Sequence, residues 1–293
     1  MDINFELYKV FYYVAKHLSF SAAANELYIS QSAVSQAIKL LEEKLNAKLF
    51  VRSTKQVHLS PAGVLLFTHV EQAFQFLKLG ERNINELHSL VLGELRIGDS
   101  DTICKYYLLP YFKQFNQLYP KIKLNVTNRP SPVCTELLTK GLVDISVVNL
   151  GPDASYHNMT VSKRKALHDV FVSSSTFANL QNQRLSLEDI ATLPLLTLEK
   201  NTTTRSFLDS IFAKQNILFQ PEIQLGSVDL LIELAKIGLG IAFVSREYIK
   251  QELAVNQLFT LTLTTEIPPR ELGIITHDCL PVPLAAQKFI DLL

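Results

Sequence analysis

Residues 30–45, SQSAVSQAIKLLEEKL, constrain this chain more than any other stretch. Val34, Ile38, Leu41 and Leu45 recur at steps of four, three and four, which is one apolar stripe along a helix. Ser32, Ser35, Gln36 and Lys39 fall opposite the stripe, with Gln31 at its start. That outer face is short, polar and positive, and its side chains are of the kind that reach base edges. Gln pairs bidentately with adenine, Ser with several bases, and Lys with guanine or phosphate. Ser30 is placed to cap the helix. The preceding run FSAAANEL, with Ser21 as its expected cap, reads as a companion helix whose three alanines let two helices cross closely. Tyr28-Ile29-Ser30 is short enough for the turn between them, so the pair reads as a helix-turn-helix.

The following residues extend the motif. Leu49 to Gly63 reads as two short strands around a polar, basic tip, a wing, and then a helix started by Pro61. Between Ser30 and Ser60 stand five cations (Lys39, Lys44, Lys48, Arg52, Lys55) and two acids (Glu42, Glu43), a local excess of 5 − 2 = +3 in a chain of zero net charge. Such a patch suits a polyanion. A first helix over residues 1–18, with Ile3, Leu7, Val10, Phe11, Val14 and Leu18 at helical spacing, supplies core for the motif. The run AAANELYISQSAVSQAIKLLEEKLNAKLFVRSTKQVHLSPAG resembles the N-terminal domain of LysR-type transcriptional regulators almost position by position. The resemblance implies a sequence-specific regulator of double-stranded DNA, not an enzyme. Gln31, Ser32, Ser35, Gln36 and Lys39 are expected in the major groove, and Arg52 and Lys55 on phosphate or in the minor groove.

Residues 61–92 read as one long helix, roughly 45 Å at about 1.5 Å per residue. Val70, Ala73, Leu77, Gly80, Ile84, Leu87 and Val91 alternate by three and four, a heptad seam that a second copy of the chain would cover. A homodimer would also present two recognition helices to two half-sites. Beyond Gly93 strands and helices alternate: strands at 94–98, 121–127, 143–149, 168–174, 195–198, 222–225, 241–244, 258–263 and 271–276, with helices between them and a last helix from Pro283. That order argues for α/β sheets. LRIGDSDTICKYYLLPYFKQFNQLYP, LLTKGLVDISVV and ELAKIGLGIAFVS resemble the LysR-type effector domain, itself similar to periplasmic solute-binding proteins. The expected architecture is a multi-domain α/β chain. It has a winged helix-turn-helix (1–60), a linker helix (61–92) and a two-lobed effector domain (93–293), with lobe I at about 93–161 plus 266–293 and lobe II at about 162–265. The resemblance further implies tetramers built from dimers.

In open α/β sheets ligands sit beyond the carboxyl ends of strands, at helix N-termini. Ser100 and Thr102, Asn149, and Thr202 and Thr203 occupy such places, and in the resembling family these positions hold a small effector. Arg129, at the end of the second effector-domain strand, would add positive charge. Each hydroxyl can equally be a plain helix cap. Helix N-termini favour an anion, whereas Asp99 and Asp101 would oppose one, so a zwitterion or an amine-bearing ligand stays open. A regulator that needs no effector and is controlled by abundance, redox state or a protein partner is the alternative.

Other chemistries find little support. Gly98-Asp99-Ser100 resembles the nucleophile block of a hydrolase family, but the late Asp-x-x-His is absent and His277-Asp278 has the wrong order. Cys104, near a helix start, is a candidate redox thiol with Cys134 as its only near neighbour in sequence. The seven histidines show no metal-ligand spacing, and no cofactor is expected. Three cysteines without CxxC, the lack of an 18-residue apolar run and the lack of a signal-like N-terminus lead to the expectation of a cytoplasmic protein with no membrane segment.

Overall fold

The computed structural model describes residues 3–52, 57–87, 93–151 and 156–293. Two compact units, Met1–Arg82 and Asn83–Leu293, are taken in turn.

In the first unit, helices α1 (Phe5–His17), α2 (Phe20–Leu27) and α3 (Gln31–Leu45) pack around Phe11, Val14, Ala23, Val34, Ile38 and Leu41, all buried. Ser19, not Ser21, caps α2: its hydroxyl accepts from the Ala22 N–H at 3.2 Å. Phe20 is buried at the first helical position, so the helix begins one residue before the expected cap. The wing strands β1 (Phe50–Arg52) and β2 (Val57–Leu59) pair antiparallel, Phe50 opposite Leu59. Buried Glu42 holds the wing to α3. Its carboxylate accepts from the Leu49 N–H (2.8 Å), the Phe50 N–H (3.3 Å) and Lys48 Nζ (2.8 Å). Helix α4 (Pro61–Leu87) crosses so close to this strand that a Cβ on Gly63 would lie 2.1 Å from the Leu49 carbonyl oxygen. Val70 departs from the expected seam. With Phe74 it is buried in the core of this unit, and Phe74 stacks on Tyr12 with centroids 4.7 Å apart. Leu77 and Ile84, one and two heptads further on, are 50% and 60% exposed.

The second unit holds two sheets of the same design. The lobe I sheet has the order β4-β3-β5-β14-β6: Ile122–Asn128, Gly93–Asp99, Ile145–Leu150, Arg270–His277 and Met159–Leu167. Its first three strands are parallel, and β14 and β6 are antiparallel to their neighbours. The lobe II sheet has the order β10-β9-β11-β7-β12: Ile223–Leu225, Leu195–Leu198, Ile241–Ser245, Asp169–Ser173 and Phe259–Thr260. It repeats three parallel strands followed by two antiparallel ones. A small parallel pair, β8 (Arg184–Leu185) with β13 (Thr262–Leu263), closes lobe II. Strand β6 pairs with β14 as far as Leu167, so the first crossover lies at Leu167–Asp169 and lobe I extends past the expected residue 161. β6 is an edge strand whose alternation is limited to Met159 and Val161 before an exposed polar run, so hydropathy marks it weakly. At the crossovers Asp169 and Arg270 form a buried bidentate pair, and the Ser245 hydroxyl donates to Asp169 Oδ1 at 2.7 Å.

Helices follow the parallel strands. After β3 runs α5 (Asp101–Ile103), a π-helical turn (Cys104–Leu108) and α6 (Leu109–Leu118); after β4, α7 (Ser131–Thr139). In lobe II, α8 (Leu187–Ala191) precedes β9, α9 (Thr203–Lys214) follows it, and α10 (Val228–Lys236) follows β10. α11 (Lys250–Ala254) and α12 (Leu284–Leu292) complete the set.

Candidate functional site

Two surfaces collect the expected residues. On α3 the burial of Val34, Ile38 and Leu41 turns the other side outward: Gln31, Ser32, Gln36 and Lys39 are exposed and Ser35 is half-buried. Ser30 Oγ accepts from the Ala33 N–H at 3.2 Å and lies 2.9 Å from Ser32 Oγ, which orders the first turn. The positive excess is softened locally, because Lys48 pairs with Glu42 and Lys39 Nζ lies 3.8 Å from Glu43. Arg52 closes β1, its side chain lying outside the described set, and Lys55 lies outside the described residues.

The second surface is a cavity of about 170 Å³ between the lobes, where strands end and helices begin. Ser100, Thr102, Arg129, Asn149, Thr202 and Thr203 all line it. So do Asp101 and Thr204, which flank the expected residues, and Asn128, Ser131, Ser227, Asp229 and Tyr248, which sequence reasoning did not single out. Ser227 carried a signal, since it follows a strand and precedes an apolar helical run as Ser100 does. Tyr248 carried none.

The hydroxyls divide by role. Ser100, Thr202 and Ser227 are N-caps, accepting from the N–H groups of Ile103 (3.4 Å), Arg205 (3.2 Å) and Leu230 (3.3 Å). Thr202 also gives its proton to the Glu199 carbonyl at 2.9 Å, so it can offer a ligand only a lone pair. Helical geometry leaves the N–H groups of Thr203 and Thr204 on α9, of Val228 and Asp229 on α10 and of Ser131 on α7 without an intrahelical acceptor. These donors, the positive helix ends behind them and the exposed guanidinium of Arg129 are suited to an anion. Asn149 Oδ1 is buried without a hydrogen-bond partner. Arg205 faces the other way: its guanidinium is buried against Thr197, Leu198, Gln224 and Asp209 and braces α9 on the sheet.

Of the acids around the cavity, Asp229 is ion-paired and Asp99 is hydrogen-bonded through one oxygen only. Asp99 is fully buried at the end of β3, with Oδ1 accepting from Asn128 Nδ2 at 2.6 Å and Oδ2 unpartnered. Burial, and then the charge of Asp101, push its carboxyl up to about 7 against the pull of Asn128. Asp229, on lobe II, accepts from two lobe I side chains, Lys105 Nζ at 2.8 Å and Tyr106 Oη at 2.7 Å. Burial raises its carboxyl, but these bonds outweigh burial and hold it below the usual aspartate value. Tyr106 also stacks on Tyr248 of lobe II, centroids 4.9 Å apart. Lys105 and Tyr106 sit in the π-helical turn, which shifts the helix register at the point where these side chains cross to lobe II. Neither Cys104 nor Cys134 is activated as a thiolate. Burial, and then Asp99, raise Cys104, and burial pushes Cys134 up to about 11.

Comparison with known proteins decides the family. Residues 5–64 match the bacterial regulatory helix-turn-helix proteins of the lysR family, and residues 88–293 match the LysR substrate binding domain. The chain belongs to the LysR family. It is a LysR-type DNA-binding transcriptional regulator with a substrate-binding effector domain. Among its relatives are probable RuBisCO transcriptional regulators of Cyanidioschyzon merolae (30% identical over 285 residues, 94% of this chain and 93% of that one) and Thalassiosira pseudonana (29% over 275 residues, 92% and 90%). Its fold matches ArgP from Mycobacterium tuberculosis (TM-score 0.72, 19% identity, 99% of this chain and 96% of that one). It also matches a full-length OxyR variant from Pseudomonas aeruginosa (TM-score 0.69, 18% identity, 100% and 95%). Among the described residues of this LysR chain no helix is long and apolar enough to cross a membrane, and no group of three or more His, Cys, Asp or Glu could hold a metal ion.

Proposed function

We propose that this regulator reads its DNA site with Gln31, Ser32, Ser35, Gln36 and Lys39 of α3, steadied by Arg52 and Lys55 of the wing on phosphate or in the minor groove. We further propose that a small anionic effector in the inter-lobe cavity sets its activity. The observation that carries the second statement is the convergence of Ser100, Thr102, Arg129, Asn149, Thr202 and Thr203, with unpaired first-turn N–H groups, on one cavity. Its volume, about 170 Å³, is slightly above that of a cavity able to take benzene, so a ligand of about six or seven non-hydrogen atoms fits. The effector acts by population shift. It binds one lobe angle better than another and moves the equilibrium by that difference in affinity. The contacts of Lys105 and Tyr106 with Asp229 span the same cleft and bias the same angle.

The exposed Leu77 and Ile84 on α4 support a homodimer through that helix, and tetramers from paired effector domains complete the proposed assembly. The working compartment is the cytoplasm. In this reading the protein acts without catalysis, as transcriptional regulators of this family generally do. The test takes a DNA site selected from a random-sequence pool and measures binding by anisotropy in the presence of a small-metabolite library. Active compounds should lose their effect on Arg129→Gln and be weakened on Ser100→Ala. A library that moves DNA affinity in neither direction would shift the weight to control by abundance or a protein partner.

A further inference from the structure

Tyr28 forms the turn between α2 and α3. Its side chain is 95% exposed, and its backbone is left-handed, at φ 56° and ψ 38°. That region suits Gly and Asn and is strained for a tyrosine. The conformation itself is needed to end α2, since the Tyr28 N–H reaches the Asn25 carbonyl at 3.3 Å and the Ile29 N–H reaches that of Ala24 at 3.1 Å. After α3 the corresponding place holds Asn46 (φ 48°), a residue that tolerates it. At 28 the chain keeps a large ring that gains almost nothing from burial. A lone exposed aromatic on relaxed backbone is ordinary. Leu18 after α1 shares the left-handed backbone (φ 47°) but is 44% exposed, whereas Tyr28 is strained and almost wholly unpacked, which points to a use outside the folded chain.

Its position says where. Two residues on, Ser30 caps α3, and Gln31 and Ser32 of the first turn are exposed. The N-terminal residues of a recognition helix meet base edges, so the turn just before them lies at the rim of the major groove, along the phosphates. Tyrosine hydroxyls are among the usual donors to phosphate oxygens. We infer that Tyr28 is a DNA-backbone contact whose phenol donates to a phosphate at the groove edge and sets the seating of α3. The inference rests on α3 being the reading helix. Because the phenol is neutral, it adds affinity without adding a released counterion.

The test measures full-length protein by anisotropy on two duplexes, a site selected from a random pool and a mixed-sequence duplex, alongside thermal melts. Tyr28→Phe should weaken both duplexes about tenfold, about threefold for each half-site of a dimer, with the slope of log affinity against log salt unchanged. Tyr28→Gly should lose as much affinity while melting at or above the wild-type temperature, because it relieves the strained backbone. A structural role predicts the opposite pairing, a lower melting temperature with DNA binding retained by the folded fraction. Wild-type affinity in either variant, or a lowered melting temperature in Tyr28→Gly, overturns the inference. Gln36→Ala separates the two levels. If it relaxes sequence discrimination while the Tyr28 variants bind normally, only this inference falls. If it too is silent, the reading of α3 falls and Tyr28 with it.

Discussion

Replacing Asp99 by asparagine should reverse the order of stability between variant and wild type as pH changes. Asp99 is fully buried beneath the cavity, and its carboxyl is pushed up to about 7 from an ordinary value of 3.8, first by burial and then by Asp101. Between about pH 4 and 7 the folded chain binds a proton that the unfolded chain has released, so stability falls as pH rises through that window. Above about 7 both states are ionised and the slope ends. By then the buried charge costs at most about 4 kcal/mol. In Asp99→Asn the bond from Asn128 to Oδ1 can remain, while an amide nitrogen replaces the unpartnered Oδ2 at a cost of about 1–3 kcal/mol. The variant should therefore be less stable than wild type at pH 4, where wild type has lost only about 0.6 kcal/mol, and more stable at pH 8 by about 1–3 kcal/mol. For an effector domain of this size that is a rise in melting temperature of roughly 3–8 °C. Melting both proteins from pH 4 to 8 by circular dichroism and taking the difference at each pH isolates Asp99 from other titrating groups. A difference that stays constant with pH, or a variant less stable at pH 8, would refute the reasoning.

Three further outcomes follow from named contacts. Asp229→Asn should change the melting temperature little, since Lys105 and Asp229 are about half exposed and such pairs contribute less than about 1 kcal/mol, yet hydrogen exchange at residues 101–108 and 227–232 should speed up as the cleft opens. Unchanged exchange would show that the contact does not hold the lobes. Glu42→Ala should destabilise the DNA-binding unit by about 2–3 kcal/mol, because two buried N–H groups lose their acceptor, and a loss under about 0.5 kcal/mol in urea unfolding would contradict this. Asp169→Ala should cost the effector domain about 3–5 kcal/mol by leaving the Arg270 guanidinium buried and unpaired, and Asp169→Ala with Arg270→Met should recover most of it. Equal losses in the single and double variants would place the cost elsewhere.

The first unit was legible because local rules and tertiary packing agree there. The stripe Val34, Ile38 and Leu41 is the buried face, Ser30 is the cap, and the wing strands pair about a polar tip. The exception, Ser19 in place of Ser21, arose because burial of Phe20 sets where α2 starts, and burial is not local information. In the effector domain the parallel strands and their caps could be read, and the six expected residues meet at one cavity. Strand β6 could not, because its edge position leaves a polar run unmarked by alternation. Nor could the partners of Asp229, since Lys105 and Tyr106 are more than 120 residues away in sequence. The seam on α4 was partly misread for a related reason: Val70 fits a heptad but is taken up by the core around Phe74 and Tyr12.

Whether backbone donors hold an anion in the cavity is tested most directly by a thermal-shift screen of wild type and Thr203→Pro in parallel. Proline is tolerated at the first position of a helix and deletes the N–H that would face the ligand together with the Thr203 hydroxyl, and Thr203→Ala beside it removes the hydroxyl alone. Small carboxylates, phosphates, amines and neutral sugars should be tested at graded concentrations. A dose-dependent rise in melting temperature for a small anion, reduced in Thr203→Pro and in Arg129→Gln, is the expected result. A stabilising compound that is cationic or neutral would keep the cavity and overturn the anion. A flat response in wild type across all four classes, or a shift that both variants retain in full, would contradict the effector site itself.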